Sequence, residues 1–162
     1  MADPITASGQ LPGEGEGGQD QVQFRFREDE PVADPAVTVD AFLGQSNAVA
    51  VRIEPGDTTR DLLPHLDRIR LVEVNFPSFQ DGRGYSAARI LREAGYAGEM
   101  RAVGAVLVDQ LALMRRCGFD TFAPAKPIDE KDAEAAFSRW PHVYQAAADE
   151  RQPIWTLRHG RS

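Results

Sequence analysis

The sequence predicts an α/β fold with a parallel sheet, built from four consecutive strand–helix units. Three observations carry this reading. Short apolar runs of strand length recur at Ala48–Ile53, Ile69–Phe76, Glu99–Val103 and Phe119–Ala123. A helical pattern follows each of them, within about Asp57–Asp67, Ser86–Glu93, Ala105–Arg116 and Asp129–Trp140. Most of these helices carry their own start or stop residue, so the alternation is punctuated. Strict alternation favours right-handed crossovers between parallel strands. Two architectures satisfy it, an open three-layer sheet and a half-barrel. The half-barrel leaves an open sheet edge and an apolar face, and so favours a homodimer.

Taken in order, residues 1–20 are low in complexity, with Gly-Glu-Gly-Glu-Gly-Gly at 13–18. Too few apolar side chains stand there to offset the entropy of ordering the chain. Val22–Arg27 alternates as a short edge strand would, and Thr38–Leu43, closed by Gly44, suits a brief helical turn. Asp57 can cap the first long helix, although Pro64 falls inside it. The second helix has Ser86 as its expected N-cap, with Tyr85 and Ile90 at hydrophobic-staple spacing. Arg89 and Glu93 form an i,i+4 pair, and Gly95 suits the left-handed position after the helix. In the third helix Leu107, Leu111 and Met114 make one stripe, ended by Gly118. Asp129 caps the fourth, Ala133, Ala136, Phe137 and Trp140 face inward, and Pro141 stops it. The expected organisation is an acidic, largely disordered extension over 1–36, a single α/β domain over 37–145, and a basic tail over 146–162.

Charge and composition narrow the function classes. Of 162 residues 42% are hydrophobic and 27% charged, with a formal net charge of −7. Residues 1–36 carry eight acids against Arg25 and Arg27, so the remainder is close to neutral. That balance lacks the basic face of a nucleic-acid binder, and the arginines at 151, 158 and 161 form too short a tail to supply one. No run approaches the roughly 20 apolar residues of a membrane span, and the acidic start does not resemble a signal peptide. Cys117 is the only cysteine, which excludes an internal disulfide or a Cys-only metal or iron–sulfur site and fits a reducing cytoplasm. His65, His142 and His159 lack ligand spacing, so no metal site is expected.

The most informative stretch joins the second strand to its helix. Asp81, Gly82, Arg83, Gly84, Tyr85 and Ser86 form a Gly-rich loop where α/β proteins place function. Gly82 to Ala87 fits the dinucleotide pattern G-x-G-x-x-A. However, Pro77–Asp81 separates the strand from its first glycine, and Val103-Gly-Ala105 stands where the ribose-binding acid belongs. No cofactor is therefore expected. Backbone N–H groups near Tyr85 with Arg83 suit a small anion, while a tight turn with Arg83 paired to Asp81 or Asp109 explains the same residues structurally. Arg101, on a strand otherwise meant to be buried, and Asp109 and Gln110, in the next helix, are expected to converge with Asp81 and Arg83 at the sheet's carboxyl end. The bland alternative is a structural ion-pair network. These residues name no reaction, and whether the protein is an enzyme stays open.

Three blocks carry a resemblance: Phe76–Arg92, Glu99–Leu111 and Arg116–Asp120. Together they resemble a bacterial family of unknown biochemistry encoded beside sulfite/nitrite reductase genes and often labelled an oxidoreductase. The resemblance spans about residues 47–145; Ala105 departs from it, where an acid is expected. It implies an accessory protein of assimilatory sulfite reduction, with the sirohaem sulfite/nitrite reductase as partner. A small enzyme or ligand-binding domain for an anionic metabolite is the first alternative, with Arg83 and Arg101 as clamps and Asp81 or Asp109 as acid–base group. An interaction module outside sulfur metabolism is the second.

Overall fold

Twelve short elements are distributed over residues 21–138, the part of the chain that the computed structural model describes. In order they are β1 (Phe24–Arg25), β2 (Val37–Thr38), α1 (Val39–Leu43), β3 (Ala50–Ile53), a 3₁₀ segment (Thr59–Arg68), β4 (Leu71–Phe76), α2 (Arg83–Glu93), β5 (Glu99–Gly104), a 3₁₀ turn (Val108–Gln110), α3 (Leu111–Cys117), β6 (Thr121–Pro124) and α4 (Glu130–Ser138). The class is mixed α/β with a mostly parallel sheet of six strands, ordered β1-β6-β5-β4-β3-β2. Only β1 runs antiparallel, Phe24 opposite Phe122.

Side-chain period decides which face does what. Val51, Val72 and Met100 stand in register, as do Ile53, Val74, Ala102 and Phe122. These residues, with Phe76, point at the helices and join one core with Phe42, Leu62, Ala88, Leu91, Leu111, Met114, Phe119 and Ala133. All the described helices thus pack on one face. The other face carries Arg52, Glu73, Asn75, Glu99, Arg101 and Thr121, with the buried Ala50, Leu71, Val103 and Ala123 among them.

On that face a ladder of charges crosses the strands. Arg25 reaches Glu99 (3.5 Å), Arg101 joins Glu99 (3.0 Å) and Glu73 (3.2 Å), and Arg52 joins Glu73 (3.7 Å) and Glu54 (3.2 Å). Glu54 then accepts from Asn75 Nδ2 at 2.7 Å. Glu99, Arg101 and Glu73 are buried, so their alternation of sign offsets desolvation that each charge alone would suffer.

Several local expectations match. Thr38 caps α1 by accepting the Ala41 N–H, and Asp129 accepts from Lys131 and Asp132 at the start of α4. Gly95 and Gly118 both have positive φ after their helices, and Arg89 lies 3.7 Å from Glu93. Cys117 is buried in the last turn of α3.

Others are corrected. The segment after β3 is 3₁₀, not α, and starts at Thr59; Asp57 Oδ2 accepts the Glu54 N–H in the preceding turn instead of capping it. Pro64, lacking an N–H, interrupts the i→i−4 ladder an α-helix would need there. The helix expected from Ala105 is a 3₁₀ turn followed by an α3 that begins only at Leu111. Five parallel strands rather than four are each followed by a helix, because Val37–Thr38 adds a two-residue strand before α1. β1, by contrast, falls within Val22–Arg27 and forms an edge of the sheet, as the alternation there leads one to expect. Arg27 from the same stretch donates to Asp120 Oδ2 (2.8 Å) and to the Ala97 carbonyl (3.1 Å). The low-complexity start, Trp140, the Pro141 stop and the basic tail lie outside the described residues.

Candidate functional site

Parallel strands direct their carboxyl ends, and the loops that follow, to one edge of the sheet. The Gly-rich loop is there, but helix α2 begins four residues earlier than Ser86 as N-cap would set it. Gly82 is the N-cap residue, and the Asp81 carboxylate accepts the Arg83 N–H at 3.0 Å. Asp81 thus does the capping from one position further out. Ser86 lies exposed within the helix, and Tyr85 packs its ring on Phe76 (5.4 Å between centroids) instead of stapling to Ile90. The two glycines differ in kind. A Cβ on Gly84 would stand 2.6 Å from the Phe76 ring and 2.9 Å from Val74, so this residue allows helix and sheet to touch. A Cβ on Gly82 would meet nothing within 4 Å.

Arg83 pairs with Asp81 and not Asp109. Its Nη2 is 2.7 Å from Asp81 Oδ2 and its Nε 3.0 Å from Oδ1. The side-chain and backbone donors of Arg83 hold the Asp81 carboxyl down at about 2. Arg83 Nη1 points elsewhere, lying 4.0 Å from where a Cβ on Gly56 would stand.

Gln110 joins this edge, as expected, through a latch between two loops. Its Nε2 donates to the Phe79 carbonyl (2.7 Å), and its Oε1 accepts the Leu107 N–H (3.2 Å). Phe79 and Leu107, the residues so tied, are 50% and 44% exposed. Asp109 is exposed beside them. Arg101 does not join. It lies three residues before the end of β5, on the face away from the helices, and both its terminal nitrogens are engaged by Glu73 and Glu99. Of the five residues expected to converge, Asp81, Arg83, Asp109 and Gln110 lie at this edge and Arg101 does not.

A cleft of about 280 Å³ opens at the same edge, between the β3 loop and the start of α2. Glu54, Asp57, Thr58, Thr59 and Arg60 line one side, Arg83, Gly84 and Ser86 the other, with Ile53, Val74 and Asn75 between. The β3-loop residues and Asn75 were not among the sequence candidates. Pro55-Gly56-Asp57 after an apolar strand is the signal that points to them, and Asn75 is the polar position just before the strand's end. Glu54 is fixed by Asn75 and Arg52, whereas Asp57 and Arg60 form no ion pair among the described residues. No group of three His, Cys, Asp or Glu there is placed to hold a metal ion. No described helix is long and apolar enough to cross a membrane.

Chemically, this edge offers donors, acceptors and both signs of charge, but no nucleophile hydrogen-bonded to a base. Asp81, held at about 2, stays a carboxylate near neutral pH, where a general acid or base would need a pKa close to the working pH. No curated protein and no solved structure matches the chain. A family model does, over residues 50–155. The chain belongs to that family, described as a bacterial protein of unknown function (DUF934).

Proposed function

We propose that the carboxyl edge of the sheet is a recognition surface, and that the protein serves assimilatory sulfite reduction as an accessory that docks on the sirohaem sulfite/nitrite reductase. One arrangement carries the docking part: the Gln110 side chain ties the Phe79 carbonyl to the Leu107 N–H, and both of these apolar residues are exposed. Exposed apolar side chains are ordinary singly; paired and held in place, they suit a partner's apolar pocket with a polar rim. Asp81, Arg83 and Asp109 supply that rim. The pathway is drawn from the resemblance of the three sequence blocks. The consecutive strand order also favours the half-barrel over a three-layer sheet, whose order reverses at a switch point. In the same reading the chain works in the cytoplasm and its open edge pairs two copies into a homodimer, which light scattering of the purified protein would reveal.

A strain lacking the protein should grow poorly on sulfate as sole sulfur source and normally on cysteine. Normal growth on sulfate would remove the pathway and favour an interaction role outside sulfur metabolism. A second reading, a ligand-binding domain, is favoured by the cleft beside Arg83. Its test is saturable binding of a small molecule by the full chain, lost on Arg83→Gln.

A further inference from the structure

The cleft has a size and a charge pattern that narrow its ligand. At about 280 Å³ it lies near the low end of the roughly 300–1,000 Å³ usual for ligand pockets, too small for a nucleotide cofactor. Its lining is neither basic nor acidic as a whole. Glu54 and Asp57 stand in the β3 turn, and Arg83 projects from α2 toward that turn. Arg60 and Arg83 stand against Glu54 and Asp57, so a simple oxyanion would meet, along with the two arginines, two carboxylates, which disfavour it. A cation alone would meet the reverse conflict.

A molecule carrying both charges a few ångströms apart satisfies both. We infer that the cleft takes a small zwitterion, a free α-amino acid, with its carboxylate on Arg83 Nη1 and Ser86 Oγ and its ammonium on Asp57 and Glu54. The groups are prepared for this. Asp81 holds Arg83 by Nε and Nη2, which leaves Nη1 directed at the Gly56 turn. Asn75 and Arg52 hold Glu54, at the end of the charge ladder, and Asp57 accepts the Glu54 N–H with one oxygen while forming no ion pair among the described residues. Fixing polar groups before the ligand arrives lowers the ordering cost of binding. Ile53, Val74 and Ala87 form an apolar lining that suits a short aliphatic side chain.

This inference rests on the ligand-binding reading, and one experiment separates their failures. The full chain is titrated by calorimetry with L-alanine and L-valine, then with N-acetyl-L-alanine, L-alaninamide and inorganic phosphate. The free amino acids should bind, and each capped derivative at least about tenfold more weakly, because each lacks one of the two charges. Asp57→Asn should weaken L-alanine several-fold while leaving N-acetyl-L-alanine unchanged; Ser86→Ala should weaken L-alanine and N-acetyl-L-alanine alike. Both positions are exposed, so unchanged melting temperatures confirm that the variants fold. Phosphate binding as tightly as L-alanine, or capped and free amino acids binding equally, would overturn the zwitterion but keep a ligand site. Absence of binding by any probe at millimolar concentration would overturn both.

Discussion

Each end of the sheet carries an Arg–Asp pair, and the two do opposite work. At the amino end, Asp120 accepts from Arg92 (3.0 Å), Arg27 (2.8 Å), the Met100 N–H (3.0 Å) and the Thr121 hydroxyl (3.3 Å). Arg92 also donates to the carbonyls of Tyr96, Gly98 and Gly118. Both side chains are nearly buried, and burial pulls the Arg92 pKa down while Asp120 opposes the shift. The Tyr96 hydroxyl is buried there too, donates to the Glu99 carbonyl, and has its pKa raised by that burial. At the carboxyl end, Arg83 is 65% exposed and pairs with Asp81, whose side chain is 15% exposed, so that only the guanidinium faces solvent freely. The same two residue types thus fasten loops and strands at one end and present charge to the outside at the other. Water makes the difference: a pair removed from it becomes indispensable, whereas an exposed one adds little to stability and stays available to a ligand or partner.

That contrast predicts a graded response to mutation. Asp120→Ala takes the carboxylate away from the nearly buried Arg92, while Arg27 keeps Asp29, and should cost about 3–5 kcal/mol in urea unfolding. A loss under about 1 kcal/mol would show that the amino-end cluster is not the fastening described. Gly84→Ala should cost about 1–3 kcal/mol through overpacking against Phe76, while Gly82→Ala should be close to neutral. Equal effects at the two glycines would contradict the assigned helix start. Gln110→Ala should cost about 1 kcal/mol and speed amide exchange at Leu107, whose N–H it holds. Arg83→Gln should leave the melting temperature unchanged within error.

The Asp81 titration adds a pH test of the exposed pair. Its folded pKa is depressed from the ordinary 3.8 to about 2, so its contribution is present above the ordinary value and is lost as pH falls through about 2. A carboxyl resonance of Asp81 titrating near 2 in the wild type, and moving up in Arg83→Gln, is the expected result. A midpoint near 3.8 in both would mean that the pair does not form in solution.

Much of this contrast was legible in the sequence, and its limits have physical causes. The positions of β1 and β3–β6, the Thr38–Leu43 turn, the Asp129 cap and the left-handed glycines after α2 and α3 depend on neighbours in sequence, and these are legible there, whereas the two-residue β2 is not. The start of α2 was misplaced because Ser86 is a good cap by type, yet Gly84 is drawn into the helix by its fit against Phe76, a contact from another element. Asp81 could cap through the Arg83 N–H only once that fit was made. Arg101 was correctly seen as a buried charge in need of partners. Its partners, Glu73 and Glu99, sit across the register of β4 and beside it on β5, so strand pairing was needed to find them. The cleft was missed because it joins the β3 loop to α2 across the packed edge.

The central claim is that the carboxyl edge recognises a partner while the amino edge holds the fold together. Its most direct test is the affinity of the purified full chain for the purified sirohaem sulfite reductase, measured for the wild type and for Phe79→Ala/Leu107→Ala. The wild type should bind saturably, and the double variant, with an unchanged melting temperature, should bind at least about tenfold more weakly. Equal binding by the two proteins, or none by the wild type, would contradict it.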